Sequence, residues 1–191
     1  MAEEGLGRGR GTAFLAGVEL LDETGSPRRR VYDGNALLMD PALEAVVVDL
    51  SPSQSPINRI VVRFLTPAEL KGGAVLFQPP DFSILLARAR DRVATLCSLY
   101  GAGPLGIDFK GLSERAARVQ MVHSSSRRVR AERRSSKTGQ VHPIGGFTGE
   151  AEYEGDLGEL LPYLQAARWT GVGRQTTWGK GAIEVMATIG R

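Results

Sequence analysis

Between Asp81 and Gly101 the apolar residues Phe82, Leu85, Leu86, Ala89, Val93, Leu96, Cys97 and Tyr100 recur at offsets of three and four. That spacing gathers side chains on one stripe of an α-helix and on no single face of a strand. Asp81 stands where a cap is needed and Gly101 where a helix stops. This long one-sided helix orders the reading of everything around it.

Ahead of it, Ile60, Val62 and Phe64 alternate with Val61, Arg63 and Leu65, the period of a strand buried on at least one face. The punctuation of Lys71-Gly72-Gly73 and Pro79-Pro80 separates the two elements. After the helix and a Gly/Pro-rich loop, residues 115–130 and 140–153 read as two long strands around a turn near Lys137-Thr138-Gly139. Asp156-Leu157-Gly158-Glu159 has the form of a capping box and leads into Leu160, Leu161, Leu164 and Ala167 at helical spacing. Pro162 leaves the exact start of that helix open. Ile183, Val185, Ala187 and Ile189 then alternate with Glu184, Met186 and Thr188 in a final half-buried strand. The order strand, helix, strand, strand, helix, strand predicts an α+β, ferredoxin-like (RRM-like) βαββαβ domain over residues 57–191. The open sheet face of this architecture is also the platform of the commonest RNA-binding module.

Residues 1–50 fall outside that unit. Residues 12–20, Tyr32 with its neighbours and residues 45–50 read as strands, and the Ser/Pro-rich segment 51–56 reads as a linker. A few strands without a helix cannot close a core alone. The expectation is the end of a preceding sheet whose beginning lies outside this chain, with an exposed edge that favours self-association.

Composition narrows the function. The chain is 42% hydrophobic, as a globular domain is, and no uncharged run approaches the length of a membrane span. One cysteine, Cys97, excludes an internal disulfide and a cysteine-based zinc cluster, and is expected to be a small buried hydrophobe in a reducing, cytoplasmic protein. Net charge is only +3, yet Arg127, Arg128, Arg130, Arg133, Arg134 and Lys137 stand within residues 123–142 against a single acid, Glu132. Such clustering is the footprint of a polyanion site. The competing reading is cross-strand pairing of Arg128 or Arg130 with Glu150, Glu152 and Glu154, which share one face of the neighbouring strand. His123 is the better placed of the two histidines as an acid/base candidate. His142 precedes Pro143 in an extended or turn conformation.

Residues 171–181, Gly-Val-Gly-Arg-Gln-Thr-Thr-Trp-Gly-Lys-Gly, join a helix to a strand. Glycines let a backbone approach phosphate closely, and Arg174 and Lys180 add charge. A dinucleotide fingerprint runs strand, glycines, helix, the reverse of this order. A P-loop needs Ser or Thr after its Gly-Lys, where Gly181 stands. What is left is an anionic-polymer contact or a flexible helix cap. Trp178 either stacks on a base or packs the loop, and Trp169 is expected in the core. Arg8 and Arg10, set between glycines, are candidate phosphate contacts or part of a solvated terminus.

Three stretches together resemble a known family: Arg130-Ala131-Glu132-Arg133-Arg134-Ser135-Ser136, Gly145-Gly146-Phe147-Thr148-Gly149-Glu150 running on to Asp156-Leu157, and residues 171–181. The resemblance is to the CRISPR-associated endoribonucleases of the repeat-associated mysterious protein (RAMP) superfamily, which cut precursor CRISPR RNA within its repeats. The start, Gly5-Leu6-Gly7-Arg8-Gly9-Arg10-Gly11, is similar to a loop closing that family's first domain. The resemblance implies two tandem ferredoxin-like domains, of which this chain holds the second and the end of the first. It implies an RNA-contacting loop made of Gly171, Gly173, Arg174, Gln175, Thr176, Thr177, Gly179, Lys180 and Gly181. It also implies metal-independent cleavage, with the 2′-hydroxyl attacking in line and no cofactor. The family's catalytic histidine usually lies in the first domain, so this chain is expected to carry mainly RNA binding. The alternative is a non-catalytic RNA-binding subunit of a CRISPR ribonucleoprotein. The implied partners are repeat RNA and other CRISPR effector subunits, with no membrane.

Overall fold

The computed structural model describes residues 11–22, 25–38, 47–72, 74–76, 79–101, 103–135 and 137–189. The chain divides into two units, Met1–Val48 and Asp49–Arg191. In the first, β1 (Val18–Leu21) pairs antiparallel with β2 (Pro27–Tyr32). The Asp22 carboxylate accepts from the Ser26 amide at 2.9 Å to close their turn. The predicted strand over residues 12–20 thus shrinks to its last residues. Of the predicted strand over 45–50, Ala45 and Val46 lie outside the described residues, and 47–50 join no ladder.

The second unit is built on β3 (Ile57–Ala68), whose Ile60, Val62 and Phe64 are fully buried while Arg59, Arg63 and Leu65 face out. A short hairpin, β4 (Leu70–Gly72) and β5 (Ala74–Leu76), leads to α1 (Phe82–Tyr100). Then come α2 (Phe109–Ala116), β6 (Gln120–Ser124), β7 (Arg127–Val129), β8 (Glu132–Arg134), β9 (Val141–Pro143), β10 (Gly146–Glu154), α3 (Leu161–Thr170) and β11 (Ile183–Ile189). The main antiparallel sheet has the order β11-β3-β10-β6. This is the ferredoxin-like arrangement, with the first and third strands of the fold at the centre. Helices α1 and α3 supply Phe82, Leu85, Leu86, Ala89, Leu161 and Leu164 to one core with the inward residues of β3 and β10. Phe82 packs edge-on against Tyr153, whose hydroxyl donates to the Pro80 carbonyl at 3.0 Å. Burial, with a smaller contribution from the Asp81 charge, pushes the Tyr153 phenol well above its ordinary range. No helix among the described residues is long and apolar enough to cross a membrane.

Several local expectations give way. The predicted strand over 115–130 begins too early, because residues 109–116 fold as α2. The Asp108 carboxylate accepts from the Gly111 amide at 2.9 Å, and the Arg90 guanidinium donates to the Phe109 carbonyl and the Ser113 hydroxyl. Tertiary docking onto Arg90 stabilises an eight-residue helix that its weak stripe does not announce. Asp81 sits at the start of α1 but makes no side-chain cap. The stripe of α1 is buried only as far as Val93; Cys97 is half-buried and Tyr100 is exposed. The capping box does not form. Helix α3 starts after Leu160 with Pro162 in its first turn, and Glu159 pairs instead with Arg115 Nε at 2.8 Å. Trp169 is exposed rather than core, with Arg168 over its ring. Segment 51–56 lies on the second unit, where the Ser53 amide donates to the Gly158 carbonyl.

Candidate nucleic-acid interface

The open sheet face is a ladder of opposed charges. Cross-strand register sets Glu150 opposite Arg63 and Glu154 opposite Arg59, and from the other side Glu184 opposite Arg63. Arg63 meets Glu150 at 2.7 Å and Glu184 at 3.3 Å; Arg59 meets Glu154 at 3.0 Å and Glu152 at 3.2 Å. The hydrogen bond that Arg59 donates to Glu154 and the charges of Glu152 and Glu154 raise the Arg59 pKa, and a hydrogen bond to Glu150 with its charge does the same for Arg63. The expected pairing of Glu150, Glu152 and Glu154 with Arg128 or Arg130 is therefore overturned: their partners are the arginines of β3. Four carboxylates against two guanidinium groups leave this face net negative, the wrong sign for a phosphate chain. His123 belongs here, opposite Glu152 on the exposed strand β6.

The other basic residues follow a different path. Strand β7 pairs with the start of β10, Val129 opposite Gly146 and Arg127 opposite Thr148. The ladder breaks at Arg130 and Ala131, resumes as β8 with β9, and closes in a turn where the Ser135 hydroxyl accepts from the Thr138 amide. The single hairpin expected from 115–153 is thus three ladder segments, β6 with β10, β7 with β10 and β8 with β9. Arg127, Arg128, Arg130, Arg133, Arg134 and Lys137 are all exposed along it, and Arg134 Nε reaches the Gly139 carbonyl at 3.4 Å.

The glycine-rich segment begins at the end of α3, where Gly171 has φ +71°. Gly173 and Gly181 also have positive φ, and a Cβ on them would collide with the carbonyl oxygens of Glu69 and Val172. Only glycine fits there. The main chain is stitched down by Arg174 N to Glu69 O at 3.0 Å, Val172 N to Gly181 O at 2.9 Å and Gly181 N to Pro67 O at 3.1 Å. Residues Thr176–Trp178 form a 3₁₀ turn flanked by Gln175 and Gly179, both left-handed. The amides of Gln175, Thr176 and Thr177 have no acceptor among the described residues.

Glu69 holds this loop. One carboxylate oxygen takes Arg174 Nη1 at 2.6 Å and the other takes Lys180 Nζ at 2.7 Å. Lys180 Nζ also donates to the Gln175 side-chain carbonyl at 3.0 Å, which offsets the strain of a non-glycine residue at φ 59°. The Lys180 side chain is 3% exposed and that of Arg174 57%. The two loop cations therefore differ: Lys180 is an internal pin, while Arg174 presents most of its surface to solvent. Burial raises the Glu69 pKa, but hydrogen bonding and charge from Lys180 and Arg174 outweigh it and hold the carboxyl below its ordinary value of 4.5.

Hairpin and loop meet at Trp178. The Arg133 guanidinium lies 5.2 Å from the indole centroid, and the His142 ring packs edge-on at 5.7 Å. Arg133 and His142 are cross-strand partners in the β8–β9 ladder, so one indole docks against both strands. A cleft of about 370 Å³ is lined by Glu69, Arg128, Val129, Arg130, Ala131, Glu132, Pro143, Gly145 and Gly146.

The structure thus brings Arg128, Arg130, Arg133, Arg174, Lys180 and the glycine turn to one neighbourhood through Glu69 and Trp178. His142 joins them and His123 does not. Arg8 and Arg10 lie outside the described residues. Sequence reading missed Glu69, although an acid between the fully buried Ala68 and Leu70 was a signal, since a charge in apolar surroundings needs a partner. It also missed Arg59 and Arg63, which share one strand face with the glutamates as their natural counterions.

The fold is similar to that of the Thermus thermophilus Cas6 protein, at TM-score 0.51 and 20% identity over 70% of this chain and 55% of that one. A second Cas6 protein, solved as a product complex, gives TM-score 0.52 and 22% identity over 81% of this chain and 65% of that one. Its complex with a substrate mimic gives the same values. The chain thus spans between about half and two-thirds of these solved proteins. No curated protein matches it. The sequence profile of the CRISPR-associated endoribonuclease Cas6 family matches residues 62–183, nearly two-thirds of the chain, and the protein belongs to that family.

Proposed function

We propose that this chain binds the repeat RNA of CRISPR precursor transcripts along the β7–β9 hairpin and the glycine-rich loop, as the RNA-binding part of a Cas6 endoribonuclease. The observation that carries the reading is Trp178 seated against Arg133 and His142, which joins the cationic hairpin to the amide-rich turn. A phosphate chain crossing that junction meets Arg127, Arg128, Arg130, Arg133, Arg134 and Lys137 on one side. It meets the turn of Gly171, Gly173, Arg174, Gln175, Thr176, Thr177, Gly179 and Gly181 on the other. Lys180 acts from below by fixing the loop through Glu69. In this reading residues 57–191 are the second ferredoxin-like domain of a two-domain protein working in the cytoplasm, and residues 1–50 the end of its first. Cleavage is by attack of the 2′-hydroxyl on the adjacent phosphate, which asks the protein for in-line positioning, proton transfer and charge stabilisation. Other CRISPR effector subunits and a second copy of the chain are its protein partners.

The test is binding of repeat RNA across a salt series, followed by incubation in EDTA with this chain and with a full-length two-domain Cas6 parent. Salt-sensitive binding by the chain and one cut per repeat by the parent are expected. Binding unchanged when Arg130, Arg133 and Arg134 become Ala would overturn the assignment. A non-catalytic subunit is the second reading, and the position of His123 among the carboxylates of the sheet face favours it. An uncut repeat with intact binding would select it.

A further inference from the structure

We propose that the cleft under the hairpin break is a base-recognition site that takes one unpaired guanine of the bound RNA, read by the carboxylate of Glu132. The inference rests on the RNA-binding reading above and specifies what the interface selects.

The walls are apolar or backbone: Val129 and Ala131 on one strand, Pro143, Gly145 and Gly146 on the other. Its volume of about 370 Å³ is at the small end of ligand-binding sites, enough for a base with its sugar. The ladder is irregular beside the cleft. Between the Val129–Gly146 pair and the Glu132–Pro143 pair the Ile144 amide donates to the Ala131 carbonyl at 2.9 Å, and a Cβ on Gly145 would run into the Val129 carbonyl oxygen, so glycine leaves this wall as bare main chain. Arg128 and Arg130 line the same cleft, so a nucleotide whose base enters it has guanidinium groups close to its phosphate.

Two acidic residues line the cleft, and they are not equivalent. Glu69 already spends one oxygen on Arg174 and the other on Lys180. Glu132 is exposed and stands opposite a proline that offers no N–H, and its side chain makes no hydrogen bond or ion pair with any described residue. Its two oxygens are available for donors entering the cleft. Guanine alone among the four bases presents two adjacent N–H donors on its Watson–Crick edge, N1–H and the 2-amino group, matching the two oxygens of a carboxylate. Adenine sets an acceptor at N1, cytosine one at N3, and the single imide N–H of uracil is flanked by carbonyl oxygens. Each of these would turn a lone pair toward Glu132. A carboxylate in a cleft rimmed by arginines therefore discriminates between bases while the rim supplies affinity.

The experiment uses the whole chain and short single-stranded RNAs. A labelled oligouridine carrying one central guanosine is compared by fluorescence anisotropy with the same RNA carrying inosine, which lacks only the 2-amino group, or adenosine. The guanosine RNA should bind about ten-fold tighter than the adenosine RNA, with inosine between them. In E132Q the preference should fall to within two-fold while oligouridine binds as well as before or slightly better, one negative charge having gone. Equal affinity of the three RNAs for the native chain, or an undiminished preference in E132Q, would overturn the base site and leave RNA binding standing. Failure of every RNA to bind would overturn both.

Discussion

Two surfaces of the same ferredoxin-like unit carry most of its charge and use it in opposite ways. On the open sheet face Arg59 and Arg63 are each clamped between two glutamates, the charges cancel at contact distance and the remainder is negative. Along the β7–β9 hairpin six exposed cations stand against one acid in the sequence, an excess of positive charge that a phosphate chain would complement. The comparison separates the fold from the use made of it. The sheet that serves other ferredoxin-like domains as an RNA platform is here occupied by its own ion pairs, and the proposed interface lies instead on the hairpin and the loop after α3. Where cations sit in sequence matters less than whether the cross-strand register hands them a carboxylate.

The largest effect expected is at the joint that keeps the basic surface assembled. Replacing Glu69 with Ala leaves the buried Lys180 with Gln175 but without a counterion, a change that costs about 3 kcal/mol, read as a lower denaturation midpoint. RNA affinity should fall with it, because Arg174 and the turn lose their anchor. A Glu69 variant with native stability would show that the loop holds itself. The same carboxyl makes the joint acid-sensitive. Its folded pKa lies below the ordinary value of 4.5, so its stabilising contribution is complete above that value and is lost as pH falls through the lower, folded pKa. An unfolding series from pH 7 down to 3 should show the native chain losing its advantage over Glu69→Ala only at the acid end.

Next in size is the hairpin itself. Changing Arg130, Arg133 and Arg134 together to Ala should weaken repeat-RNA binding roughly 100-fold at low salt and reduce the slope of log affinity against log salt by about two. A smaller step, about ten-fold, is expected for Trp178→Ala, which removes the indole between hairpin and loop together with its exposed face for a base. Filter binding checks both. A Trp178 variant with native affinity would show that the two regions bind RNA independently.

How far these features could be read in the sequence depends on how local their physics is. The stripe of α1 and the alternation of β3 and β11 are consequences of period, and the strand-helix order led directly to the ferredoxin-like topology. Helix α2 was not legible, because its eight residues are held by Arg90, a partner nineteen residues before Phe109. Asp156-Leu157-Gly158-Glu159 had the letters of a cap, but Glu159 found Arg115 across the fold instead. Lys180 looked like Arg174 in the sequence, and only the position of Glu69, more than a hundred residues earlier, makes one a pin and leaves the other exposed. His123 and His142 were separated by the register: one falls opposite Glu152, the other opposite Arg133.

The smallest effect is expected on the sheet face, and it sharpens the comparison most directly. Arg63 is as cationic as any residue of the hairpin, so a binding model based on total charge predicts that Arg63→Ala weakens RNA binding as much as Arg133→Ala does. The ladder predicts otherwise. Glu150 and Glu184 already neutralise Arg63, and its loss leaves two carboxylates on a face outside the proposed RNA path. Repeat-RNA affinity should stay within two-fold of native at low salt, with the salt slope unchanged, while Arg133→Ala lowers both in the same assay. An equal loss from the two substitutions would mean that the phosphate chain crosses the sheet after all.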